Sequence, residues 1–298
     1  MTETETDLEP TEEFRSIWSS LRDVAFTQQW IDVDGVSTRV VTAGDPSKPA
    51  LLMLHGTGAH WEAYAPSLKA FSADYYCIVP DMVGNGYTDK PDYDYEIHTY
   101  VAHLEGVLRV LDVERVHIFG MSLGAWVAAR FAVKNPERTG KIVLMSPAGL
   151  LASAEKMSRI RRQRIAAVET ADWESIRAMF VHLIADEANR LPDLIALRQA
   201  IYRLPETRDT IEHLLILQDS EVRNRNLLSI DEWKSIQAPA LVIASGKDWG
   251  EYTSTARQIL ELMPKAQLLE MPHVAHWPNF EDPEMFNREA LAFLAAEV

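Results

Sequence analysis

The stretch Val116-His117-Ile118-Phe119-Gly120-Met121-Ser122-Leu123-Gly124-Ala125 decides the reading of this chain. An apolar run of strand length enters G-x-S-x-G and leaves in a helical pattern. Glycines on both sides of Ser122 allow a turn tight enough to lift its hydroxyl off the end of a strand. The helix that follows turns its first N–H groups toward any negative charge that develops there. Ser122 is therefore a candidate nucleophile.

Outward from that turn, the same alternation repeats. Short apolar runs occur at Ala50–Leu54, Tyr76–Val79, Ile142–Met145, Leu241–Ala244 and Gln267–Leu269, the pattern of strands buried on both faces. Two alternating runs, Thr27–Asp32 and Ser37–Thr42, meet at Asp34-Gly35, a hairpin signal. Helical patterns lie between the runs at Trp61–Phe71, Ile97–Leu111, Ala125–Val133, Ser254–Met263 and Pro283–Ala296. Strand alternating with helix predicts an α/β fold with a mostly parallel eight-stranded sheet and helices on both faces. From Gly149 to about Asp231 no buried strand is expected, and Pro192 and Pro205 divide a helical stretch. The expected organisation is an acidic N-terminal tail over 1–26, a core over 27–148 and 232–298, and a helical lid over 149–231 inserted after the sixth strand.

Length and charge bound the partners. The chain has 298 residues and a formal net charge of −15, with a mean hydropathy of −0.14. A negative surface argues against nucleic acid or an anionic membrane as partner. The apolar runs are far short of a membrane span. The opening MTETETDLEPTEEF lacks the basic and apolar regions of a signal peptide, so a cytoplasmic location is expected. Cys77 is the only cysteine, which excludes an intrachain disulfide and a cysteine-based zinc site. The nine histidines show no metal-ligand spacing, and neither a metal nor a cofactor is expected.

A serine nucleophile needs a base, and the base needs an orienting acid. Met271-Pro272-His273-Val274-Ala275-His276-Trp277-Pro278 follows a predicted strand and offers His276, with His273 as rival. Asp248 follows the run Leu241–Ala244, at the strand end where ligands of open α/β sheets bind. Leu51-Leu52-Met53-Leu54-His55-Gly56-Thr57-Gly58 ends another strand. The N–H groups of Thr57 and Leu123 are the expected oxyanion donors, and His55 is expected to brace its loop. The arginines 159, 161, 162 and 164 read as a solvated helix face.

Together, His55-Gly56, Asp81-x-x-Gly84-x-Gly86-Tyr87, Gly120-x-Ser122-x-Gly124, Asp248 and His276-Trp277 resemble the α/β-hydrolase fold superfamily over about residues 27–297. The order Ser122, Asp248, His276 is the order of that superfamily and favours His276 over His273. Within it, Val143-Leu144-Met145-Ser146-Pro147, the stretch Leu191–Arg198 and His276-Trp277 look like the meta-cleavage-product hydrolases, which hydrolyse carbon–carbon bonds in aromatic degradation. The chain departs from that family's usual pattern at Met121, where asparagine is usual, and at Ala125, where glycine is. The resemblance implies that Arg198 binds the dienoate end of a small substrate and that Trp277 lines the pocket. It also implies a homo-oligomer, since such enzymes often assemble. The expected activity is that of a serine hydrolase acting on a small, partly apolar carbonyl compound, foremost a 2-hydroxy-6-oxo-dienoate. The alternatives are a carboxylesterase or lactonase, and, in another class, a ligand-binding protein of the same fold without turnover.

Overall fold

The computed structural model describes residues 15–150, 152–247 and 251–296. Asp248 and the acidic run over 1–14 lie outside the described residues. Eight strands form one sheet: β1 (Phe26–Val33), β2 (Val36–Ala43), β3 (Ala50–Leu54), β4 (Tyr76–Pro80), β5 (Val116–Met121), β6 (Thr139–Met145), β7 (Ala240–Ser245) and β8 (Ala266–Met271). Their order is β1-β2-β4-β3-β5-β6-β7-β8. β2 pairs antiparallel with β1 and β4, and the pairs from β4 across to β8 are parallel. All side chains of β3, β6 and β7 are buried, which is why these runs are apolar without alternation.

The helices are α1 (Ile17–Leu21), α2 (Ala65–Ser72), α3 (Ile97–Val110), α4 (Leu123–Lys134), α5 (Ala154–Thr170), α6 (Trp173–Phe180), α7 (Pro192–Tyr202), α8 (Pro205–Asp209), α9 (Ile211–Leu214), α10 (Ser220–Asn226), α11 (Ile230–Ser235), α12 (Glu251–Leu262), α13 (Pro278–Glu281) and α14 (Pro283–Ala295). Helices α5 to α11 stand between β6 and β7, with no strand among the described residues there. Pro192 and Pro205 open α7 and α8, positions where the missing N–H costs nothing. Among the described residues, no helix is long and apolar enough to cross a membrane.

Contrary to expectation, residues 1–26 are not a tail throughout. Ser16 caps α1 in a capping box, Ile17 and Leu21 are buried, and the Ile17 N–H donates to Asp193 Oδ2 at 2.8 Å. Two apolar residues one turn apart suffice to dock this single turn, too short a pattern to stand out beside the acidic run before it.

Strand order reverses between β3 and β5: β3 leads to β4 on one side, whereas β5 lies on the other. A crevice opens outside the strand ends at such a point. Its near rim rests on a buried ionic network. Arg39 donates to Asp81 Oδ2 at 2.6 Å and, in a two-pronged pair, to the Glu62 carboxylate at 3.0 and 3.1 Å. His60 Nδ1 reaches Glu62 Oε2 at 2.6 Å. Asp81 also accepts from the N–H groups of Trp61 and Tyr87, both at 2.8 Å. Charges paired with one another in this way can be buried at far lower cost than an isolated charge, although the His60 Nε2 has no partner among the described residues. It ties β2 to the loops after β3 and β4.

Candidate active site

The turn after β5 is built as its glycines imply. A Cβ at Gly120 would lie 2.4 Å from the Gly124 carbonyl oxygen, and one at Gly124 would lie 2.1 Å from the Leu54 oxygen. Only glycine lets α4 approach β3 and β5 this closely. Ser122, between them, has φ 55 and ψ −112, a conformation that costs a non-glycine residue free energy and survives where the surroundings impose it. Its N–H donates to the Met145 carbonyl at 2.9 Å.

Ser122 lines a cavity at the sheet's switch point, together with Gly56, Thr57, Leu123, His276 and Trp277. Leu123 opens α4, so its N–H has no intrahelical acceptor. In the loop after β3, Asn85 Oδ1 takes the Gly58 N–H at 2.7 Å and Gly56 O takes the Ala59 N–H at 3.1 Å. No described residue accepts from the Thr57 N–H. Both expected oxyanion donors thus sit at the cavity beside Ser122. His55 does brace its loop: it is wholly buried, its Nδ1 meets Gly56 O at 2.8 Å, and its Nε2 accepts the Met82 N–H at 3.1 Å. The accepting Nε2 places the proton on Nδ1. Burial holds this ring neutral, pushing its pKa down to about 4.

His276 follows β8. The N–H groups of His276 and Trp277 both donate to Leu183 O at 3.1 Å, and Ser146 Oγ donates to His276 O at 3.0 Å. Residues after α6 and after β6 thus fix the histidine loop. The imidazole lies against the Tyr252 ring, with centroids 4.5 Å apart. Burial pushes its pKa down to about 3, and the charges of Lys156 and Arg164 act in the same direction. Ser122 and His276 share the cavity wall without a direct hydrogen bond between their side chains. The rival His273 is instead exposed and bound to Asp282 Oδ2 at 2.7 Å. Trp277 is buried edge-on to Phe180 and Phe280.

Arg198 comes from α7, whose buried face is Leu194, Ile195, Arg198, Ile201 and Tyr202. It is 0% exposed and lines the cavity. None of its three guanidinium nitrogens has a hydrogen-bond partner among the described residues. Its neighbours are the faces of Phe180 and Tyr202, 5.3 and 5.8 Å from the guanidinium carbon. Desolvation lowers its pKa, and the nearby Tyr202 phenol opposes that.

Among the lining residues that sequence reasoning does not assign to this wall are Lys156, Arg164, Trp126 and Arg223. The solvated reading of the arginine cluster fits Arg162, which is exposed. It is wrong for Arg164, whose Nη1 donates to Thr57 O at 2.9 Å. A helical stripe could have revealed it, because Met157, Ile160, Arg164, Ala167 and Val168 follow the spacing of one face. For Arg223, nothing local in the sequence separates it from the surface arginines. Among the described residues, no group of acidic, histidine or cysteine side chains is arranged to hold a metal.

The likeness to known proteins agrees with this geometry. Residues 51–289 match the model of the alpha/beta hydrolase family. The 2-hydroxy-6-oxo-6-(2'-aminophenyl)hexa-2,4-dienoic acid hydrolase of Metapseudomonas resinovorans is 26% identical, over 93% of this chain and 94% of that one. The 2-hydroxy-6-oxononadienedioate/2-hydroxy-6-oxononatrienedioate hydrolase of Comamonas testosteroni is 30% identical, over 83% and 87%. Among solved structures, the meta-cleavage product hydrolase of Pseudomonas fluorescens IP01 superposes with a TM-score of 0.76 at 27% identity, covering 91% of this chain and 97% of that one. The chain is a hydrolytic enzyme and belongs to the alpha/beta hydrolase family.

Proposed function

We propose that the protein hydrolyses a carbon–carbon bond in a 2-hydroxy-6-oxo-dienoate, with Ser122 as nucleophile, His276 as base and Asp248 as the acid that orients it. One observation carries the choice of substrate: in the cavity that holds Ser122 and His276, a fully buried guanidinium presents three nitrogens with no partner among the described residues. A buried, unpaired charge is costly. A carboxylate answers it best, because its two oxygens match the guanidinium fork.

With the substrate's carboxylate at Arg198, the enol tautomerises to the ketone, which makes carbon six electrophilic and its neighbour a leaving group. His276 takes the Ser122 proton as Oγ adds to the carbonyl at carbon six. The N–H groups of Thr57 and Leu123 hold the oxyanion. When the tetrahedral centre collapses, the bond between carbons five and six breaks. The electron pair passes into the dienolate, conjugated to the carboxylate, and the proton on His276 ends on carbon five. Water, deprotonated by His276, then releases the acyl group from Ser122. The Ser122–His276 hydrogen bond forms as substrate fills the cavity, since such contacts tighten in the Michaelis complex. The domain scheme of a core with a lid over 149–231 fits this reading, because α5, α7 and α10 supply cavity residues from above the sheet.

The test is direct. Purified enzyme given a 2-hydroxy-6-oxo-dienoate and a panel of p-nitrophenyl esters should consume the dienoate with the higher kcat/KM. Rapid turnover of the esters alone would make it a carboxylesterase or lactonase instead.

The depressed His276 pKa fixes a pH signature. Only neutral imidazole serves as base, so activity is lost as pH falls through its pKa. That loss in kcat/KM, which reports free enzyme, is expected well below the ordinary 6.5. A bound carboxylate offsets the nearby cations, so the acid limb of kcat should lie at higher pH than that of kcat/KM. Profiles of both against pH check the order, and a reversed order would contradict the placement of the cations.

A further inference from the structure

Both peptide units that flank Thr57 are held by named partners. In the unit that carries the Thr57 N–H, Gly56 O accepts the Ala59 N–H at 3.1 Å and meets His55 Nδ1 at 2.8 Å. A trans peptide points its N–H opposite to its carbonyl, so this hold turns the Thr57 N–H away from those partners. In the next unit, the Gly58 N–H donates to Asn85 Oδ1 at 2.7 Å, and Thr57 O accepts from Arg164 Nη1 at 2.9 Å. Two fixed units leave the residue between them no free backbone angle. His55, Ala59 and Asn85 belong to the loops after β3 and β4, whereas Arg164 belongs to α5, between β6 and β7. One of the groups that fix Thr57 therefore comes from the helical segment outside the sheet.

Arg164 is seated for this contact. Its Nη1 also meets the Tyr202 hydroxyl at 3.3 Å, and Tyr202, from α7, is buried. A Cβ at Gly58, where φ is +65°, would lie 2.8 Å from both the Arg164 nitrogen and the Tyr202 oxygen. The missing side chain makes room for a junction of α5, α7 and the loop after β3. Arg164 also lines the cavity, and its charge acts on both His276 and Arg198. The same guanidinium thus touches the oxyanion loop and lies within electrostatic reach of the base and of the carboxylate receptor.

We propose that Arg164 is a positioning residue of the oxyanion hole, which holds the Thr57 carbonyl from α5 and so keeps the Thr57 N–H aimed at the cavity only while α5 is seated on the loop after β3. This rests on the roles of Ser122 and Thr57 given above, and not on the choice of substrate. An oxyanion hole completed from α5 ties the chemical step to closure of the cavity. Removing Arg164 therefore weakens binding of a tetrahedral anion more than binding of a flat carbonyl compound.

Phenylboronic acid, which adds to a serine oxygen as a tetrahedral anion, and p-nitrophenyl acetate, a neutral ester, test this without a dienoate. Arg164→Met should lower boronate affinity about tenfold or more and kcat for the ester about 10^2-fold, the scale of a small misplacement, with KM little changed. Position and charge separate in the pH profile. The groups that act on His276 are Lys156 and Arg164, from α5, and the Tyr252 ring, from α12. Arg164→Met removes one of the two cations, so the acid limb of kcat/KM should move to higher pH. Arg164→Lys keeps the charge and loses the planar fork, so it should leave that limb in place and recover only part of the boronate affinity. Gly58→Ala, which crowds the junction and leaves the charge intact, should copy the loss of boronate affinity without moving the limb. Boronate affinity undiminished in Arg164→Met, or a loss matched by an equal rise in KM, overturns the proposal. Should Arg164→Met fail to fold, full boronate affinity in Arg164→Lys overturns it. A wild type that binds no boronate and spares the ester overturns the Ser122 reading and this one together, whereas boronate bound equally by the wild type and Arg164→Met overturns this one alone.

Discussion

Replacing Ser122 with alanine is expected to lower kcat by about 10^6-fold, the scale seen when the nucleophile of a serine hydrolase triad is removed. The fold should survive, because alanine meets the same φ of 55° with no larger side chain and no lost hydrogen bond to a described residue. The Ser122 N–H keeps its bond to Met145 O. Carboxylate binding should also survive, since Arg198 and the oxyanion N–H groups are untouched. The measurement is single-turnover decay of the dienoate together with its affinity for the variant. A variant that retains a tenth of the parent rate would mean that water attacks directly and that Ser122 is not the nucleophile. A His276→Ala variant of the same protein should fall nearly as far without adding to the loss, because nucleophile and base act as one unit.

Much of the fold and of the site is legible in the order of the residues alone, for reasons that differ by element. Strands buried on both faces leave no polar alternation, so runs such as Ala50–Leu54 and Ile142–Met145 stand out, and the sheet follows. The turn at Ser122 is legible because its glycines have no substitute at contacts of 2.1 and 2.4 Å. Arg198 can be placed only through family resemblance. Its burial depends on α7 lying with Leu194, Ile195, Ile201 and Tyr202 inward, and an arginine in such a stripe more often marks an edge than a centre. Arg164 is legible only as a member of the inward stripe of its helix, and its contact with the Thr57 carbonyl is not. Arg223 is not legible at all, because what it faces across the cavity, the Trp126 ring, lies far off in sequence and leaves no local periodicity. The short helix at Ile17–Leu21 is hidden for the opposite reason, its signal being too brief beside a long acidic run.

Arg198→Met should move stability and activity in opposite directions. In the unliganded protein the guanidinium is fully desolvated, and no described residue accepts a hydrogen bond from it. Contact with the Phe180 and Tyr202 faces returns part of that cost. Replacing a buried charge by an apolar side chain of similar length is often stabilising, by about 1–4 kcal/mol, and methionine has the flexibility to fill the space. The melting temperature should therefore rise. With the carboxylate receptor gone, transition-state stabilisation should fall by about 2–5 kcal/mol, the scale for truncating one partner of a buried charge pair. That loss lowers kcat/KM on the order of 10^2-fold or more. Arg198→Lys keeps the charge and loses the fork, so it should recover only part of the activity and none of the added stability. Thermal melts and dienoate kinetics on the three proteins decide the matter. A drop in melting temperature that parallels the drop in kcat/KM would make Arg198 a packing residue, whereas opposite signs identify a charge held in readiness for a carboxylate.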